Sequence, residues 1–110
     1  MASALQTARF FIDTAAAETK AALAAATEPR LKALLTLIDG DLAPVVAWID
    51  AKVPLPVPSQ LLKYTQPLQR IDYELRGATF ALMFAGLNMS PENAVLRNLR
   101  FQIYLYQQGA

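Results

Sequence analysis

Acid–base chemistry in this chain would have to rest on carboxylates, because its 110 residues include no cysteine and no histidine. That inventory removes thiol nucleophiles, disulfides, Ser-His-Asp triads and zinc sites built from His or Cys. The closest carboxylate pairs in sequence are Asp39/Asp41, Asp72/Glu74 and Asp13/Glu18. Asp39 and Asp41 bracket Gly40 at an expected helix junction, where capping accounts for both. Asp72 and Glu74 stand two apart on a helix and cannot face one another. The Asp39 region lacks the regularly offset oxygen ligands and closing glutamate of a calcium loop, and the chain has no phosphate loop and no GxGxxG. The expectation is a protein that is not an enzyme and has neither metal nor cofactor.

Arg70, Asp72, Tyr73, Arg76, Arg97, Arg100, Tyr104 and Tyr106 read as residue types enriched in interface cores and hot spots. They point to protein association. The competing reading is a solvated helix face laced by i,i+4 pairs such as Asp72 with Arg76. Ten Lys plus Arg against nine Asp plus Glu leave +1, too little to draw the chain to nucleic acid or an anionic membrane.

The elements that would position these residues read as helices. Ser3 and Gln6 form a capping box ahead of Leu5, Ala8, Ile12, Ala15 and Ala16, which recur at helical spacing. Eleven alanines in the first thirty residues raise helix propensity and leave a smooth face for close packing. Thr27, as a capping hydroxyl, with Pro29 opens a second helix carrying Leu31, Leu34, Leu35 and Ile38. Gly40 ends it, and Asp41 caps a third helix bearing Leu42, Val45, Val46 and Ile49, with Trp48 beside the stripe, to Lys52. Prolines 54, 56 and 58 favour an extended crossover over 53–58, with a PxxP-type ligand as the alternative. Thr65-Gln66-Pro67 opens what should be the longest helix, with Leu68, Ile71, Leu75, Ala78 and Leu82 on one face. Ser90-Pro91 opens the last, with Leu96, Leu99, Ile103 and Tyr106 as its stripe and Gly109 as its stop.

The expected fold is therefore all-α: one domain over 1–110, a compact bundle of about five helices. Its breaks fall near Gly40, Pro54–Pro58 and Asn88–Ser90. Its core is Leu35, Ile38, Val45, Ile49, Leu68, Ile71, Leu75, Leu82, Leu96, Leu99 and Ile103. No signal peptide is readable, since Arg9, Asp13 and Glu18 interrupt any apolar start, and the weakly charged run 77–91 is too short to span a bilayer. A cytoplasmic location is expected, and the lack of cysteine fits a reducing compartment.

Asp72-Tyr73-Glu74-Leu75-Arg76-Gly77-Ala78-Thr79-Phe80-Ala81, then Ala85-Gly86, then Val95-Leu96-x-x-Leu99-Arg100, resembles the phycobiliprotein subunits of cyanobacterial antennae. Their pattern is approximately D-Y-Y-L-R-Y-A-T-Y-A, then A-G-D, then V-L-N-G-L-R-E-T-Y. The likeness covers residues 67–103; the stretch from Thr79 to Ala85 is one residue longer than the family's. The family's bilin-attachment cysteine and the Arg-Asp pair that grips the pigment fall here on Pro67, Gln69 and Arg70. The resemblance thus implies a shortened, globin-like relative without a thioether-linked pigment.

It also implies an interface. Arg76 matches an arginine that pairs with an aspartate on a partner's N-terminal helix, and Tyr73 matches a tyrosine of the same contact. Asp13, on the N-terminal helix here, is the candidate complementary carboxylate, and Asp72 stands beside Tyr73. The implied partner is a phycobilisome subunit or a like copy of the chain, and the implied location extends to the thylakoid surface through antenna complexes. The alternatives are a general helical assembly or regulatory protein unrelated to light harvesting, and a non-covalent pigment carrier.

Overall fold

The computed structural model describes residues 3–53 and 66–109, and these form four α-helices and no strand: α1 (Ala4–Ala25), α2 (Pro29–Lys52), α3 (Pro67–Phe84) and α4 (Pro91–Gln107). The Ser3 capping box forms as expected. The Gln6 amide donates to the Ser3 hydroxyl at 3.1 Å, and the Ser3 amide donates to Gln6 Oε1 at 2.9 Å. Ser90 caps α4 by accepting from the Asn93 amide at 3.1 Å. The α3–α4 corner turns at Gly86, whose φ of +79° only glycine adopts without strain. Asn93, fully buried, pins that corner by donating from Nδ2 to the Asn88 carbonyl at 3.0 Å.

The expected break at Gly40 does not occur. Ile38, Leu42, Val45 and Ile49 form one buried stripe across it, and burying that stripe outweighs the roughly 1 kcal/mol that a mid-helix glycine costs. Pro44 also lies inside α2. Its ring leaves the Gly40 carbonyl without an intrahelical donor, and both residues lie on the exposed side, where water can serve that carbonyl. The second and third expected helices are therefore one, four helices replace five, and α2 at 24 residues is longer than α3 at 18. Three capping assignments change with it. Glu28, not Thr27, caps α2, its carboxylate accepting from the Arg30 and Leu31 amides at 2.9 and 2.7 Å. Asp41 sits within the helix rather than before one. Asp39 pairs with Lys20 of α1 at 2.9 Å instead of capping. At α3 the cap position is Gln66, with no side-chain hydrogen bond; Thr65 and the prolines of 54–58 lie outside the described residues.

The four helices stand at the corners of a ring. α1 and α4 each pack on α2 and α3, while the diagonal pairs do not meet among the described residues. Neighbours run antiparallel. Arg9 meets Asp50 and Lys20 meets Asp39 across α1–α2, and Phe11 meets Gly77 while Glu18 meets Arg70 across α1–α3. Every expected core residue is buried except Leu68, which is partly so, and Ala8, Ile12, Ala15, Leu34, Leu42, Ala78 and Ala81 join them in the core. The α1–α3 seam is the close one: the Phe11 ring lies 2.8 Å from where a Cβ on Gly77 would stand, and Ala8 and Ala15 on α1 and Ala78 and Ala81 on α3 are all buried. No described helix is long and apolar enough to cross a membrane.

Candidate interaction face

The apolar stripe of α3, Ile71, Leu75, Ala78 and Leu82, faces inward, so Tyr73, Arg76, Phe80 and Phe84, which step by three and four on the other side, face solvent. Tyr73 is 57% exposed and Phe84 78%; Phe80 and Met83 are also exposed. The Arg76 guanidinium lies over the Phe80 ring, 5.8 Å from its centroid. Tyr73 meets the edge of Phe11 at 6.2 Å, and Phe11 in turn meets Phe10 at 5.4 Å, so α1 braces one border of the face. Met89, in the corner, is exposed beyond its end.

The structure brings Tyr73 and Arg76 together on this face, while Asp72 and Asp13 are engaged by other arginines of the chain. Asp72 does not form the i,i+4 pair with Arg76; it faces α4 and accepts from Arg100 Nε at 3.2 Å. Asp13 lies on the α1–α2 side, where Arg9 Nε meets it at 3.2 Å and meets Asp50 at 3.0 Å, while Arg9 also donates to the Val53 carbonyl. Burial, with Asp50 nearby, pushes the Asp13 carboxyl above its ordinary range, and Arg9 partly offsets the rise. Tyr106, also read as an interface type, is engaged within the chain. It is half-buried, donates to Glu28 at 3.2 Å and lies under Arg30, tying the end of α4 to the start of α2.

Arg70, also read as an interface type, turns inward to Glu18 of α1 at 2.8 Å. Glu18 and Glu74 are each 1% exposed, and neither oxygen of Glu74 has a hydrogen-bond partner. Burial first, and the Glu18 charge second, push the Glu74 carboxyl up to about 8 against the pull of Arg70, so it holds its proton at pH 7. The only sequence sign of this cluster is that Glu74 falls within the wider inward arc of 71, 74, 75, 78, 81 and 82. Asp13 and Glu18 point to different neighbours, as do Asp72 and Glu74, so none of these pairs offers two carboxylates to one substrate.

Among the described residues no three His, Cys, Asp or Glu side chains gather as metal ligands. Two shallow clefts of about 310 and 450 Å³ line the α2–α4 side, one beside Gly40 and Pro44, the other beside Leu37 and Leu105. Pro67 opens α3, Gln69 is exposed and Arg70 is engaged by Glu18. Sequence reasoning missed Phe80, Met83, Phe84, Met89 and Phe101 as surface residues; the readable signal was the 73, 76/77, 80, 84 spacing, out of step with the core stripe. Set against known protein families, curated proteins and solved structures, the chain matches none.

Proposed function

We propose that this chain is a non-catalytic association module that docks on a protein partner through the outer face of α3. The observation that carries the reading is the row of Tyr73, Phe80 and Phe84 left in solvent along one helix face, with Arg76 among them. The partner class comes from the resemblance alone: a phycobilisome subunit or a like copy, with this chain a pigment-free, shortened relative of the globin-like antenna subunits in the cytoplasm or at the thylakoid surface. Support for that class is that the resembling segments fall on α3, its Gly86 corner and α4 as consecutive parts of one antiparallel hairpin.

An arginine desolvated against a partner carboxylate is sensitive to charge reversal, because loss of the pair leaves a buried charge unmatched at roughly 2–5 kcal/mol. Arg76→Glu and Phe80→Asp are therefore expected to abolish capture of antenna subunits from a cyanobacterial lysate. Both sites are exposed, so the far-ultraviolet helical signal should persist. Equal recovery by wild type and both variants, with no antenna subunit among the captured proteins, overturns the reading in favour of a helical assembly or regulatory protein unrelated to light harvesting. A visible absorption band on the native protein that disappears on denaturing extraction would instead identify a non-covalent pigment carrier.

A further inference from the structure

The Asp72–Arg100 bridge sets the register of the antiparallel α3–α4 pair. One turn along α3 from Asp72 stands Arg76, and three residues back along α4 from Arg100 stands Arg97, so the two arginines flank the same level of the outer seam. Both are exposed, and neither has an ion-pair partner among the described residues, whereas Arg9, Arg70 and Arg100 each hold a carboxylate. Toward the corner the seam is apolar, with Phe80 and Met83. Toward the other end Phe101 and Tyr104 stack at 6.3 Å, both more than half exposed.

The charge pattern along the seam is thus apolar, cationic, aromatic. Seven residues separate Arg76 from Met83 and seven separate Arg97 from Tyr104, so the pattern spans about 20 Å, the length of about 14 residues of helix. Resting on the association reading but extending it to α4, we infer that the α3–α4 seam receives an acidic amphipathic helix of a partner protein, its central carboxylates bridging Arg76 and Arg97 and its apolar side chains covering Phe80 and Phe101. Charge complementarity selects this occupant. Two cations without a carboxylate partner among the described residues, framed by aromatic rings, suit a short carboxylate-bearing helix, while a nucleic-acid backbone or anionic bilayer is held by a broader basic field than a net charge of +1 supplies.

The test uses the full chain and a pair of labelled synthetic helical peptides of about 14 residues. One carries two central glutamates four apart and leucines toward both ends; the other carries lysines in place of the glutamates. Fluorescence anisotropy should show the acidic peptide binding, weakening with added salt and weakening at least tenfold for Arg97→Glu and for Arg76→Glu, while the lysine peptide does not bind. Circular dichroism of both variants should match wild type. Failure of the acidic peptide to bind, equal binding of the lysine peptide, or equal competition by single-stranded oligonucleotide or anionic vesicles overturns the inference. So does sedimentation showing a self-dimer that Arg97→Glu dissociates, which assigns the seam to a second copy. If Arg76→Glu weakens peptide binding and Arg97→Glu does not, the α3 reading stands and its extension to α4 fails; lysate capture insensitive to Arg76→Glu removes the α3 reading itself.

Discussion

Replacing Glu74 with glutamine should stabilise the protein at neutral pH and flatten its pH dependence. In the fold the carboxyl keeps its proton up to about 8, whereas its ordinary value is 4.5. Between those two values the folded chain binds one proton more than the unfolded chain, so the unfolding free energy falls as pH rises, by about 1.4 kcal/mol per pH unit for this one group. Stability from this site is full below 4.5, declines through the window and levels off above 8. At pH 7 the loss amounts to about 3 kcal/mol, a sizeable share of the 5–15 kcal/mol typical of a domain. Glutamine keeps the shape, removes the titration and leaves the Arg70–Glu18 pair in place. Its amide replaces a protonated carboxyl that is itself without partners, so the two should cost about the same to bury. Urea unfolding followed by circular dichroism at pH 5, 6, 7 and 8 should show Glu74→Gln close to wild type at pH 5 and more stable by up to about 3 kcal/mol at pH 7. Parallel pH profiles for the two proteins, or a variant less stable than wild type at pH 7, would falsify the account of a neutral carboxyl held in an apolar seam.

Arg70→Met should cost about 3–5 kcal/mol at pH 7 in the same urea assay, because it breaks the ion pair with the buried Glu18 carboxylate; Arg70→Met combined with Glu18→Gln should recover most of that loss. Gly77→Ala should cost about 1–3 kcal/mol and change the near-ultraviolet aromatic signal, since the added methyl meets the Phe11 ring and must displace it from Tyr73. Gly40→Ala should instead raise stability by up to about 1 kcal/mol, because the site is helical, exposed and open for 4 Å around a new Cβ; a lower melting temperature would argue for a break at Gly40 after all. Ser90→Ala should cost about 1 kcal/mol through the lost cap on the Asn93 amide, measured by thermal unfolding.

What could be read in advance follows the range of the interaction. Ser3 with Gln6, Ser90 before Pro91, and Gly109 after the last stripe are signals complete within a few residues, and each marks a helix end in the structure. Gly40 carries an equally local stop signal, yet it loses to Ile38, Leu42 and Val45, whose burial depends on α1 and α4 packing over them. The ion pairs obey the same distinction. Asp72 had a cation four residues ahead at Arg76 and takes one twenty-eight residues away at Arg100, because α4 offers its guanidinium on the side of α3 that Asp72 faces. That choice matters for the candidate face. With Asp72 drawn to α4, Arg76 settles over Phe80 rather than on an internal carboxylate, and the rings beside it stay in solvent. Residue type alone assigns Phe80 and Phe84 to a core; only the inward direction of Ile71, Leu75 and Leu82 shows that they stand opposite it. The buried side of α3 was legible from the spacing of Ile71, Leu75, Ala78 and Leu82, and the exposure of Tyr73, Arg76, Phe80 and Phe84 follows from it once α1 and α4 pack on that stripe.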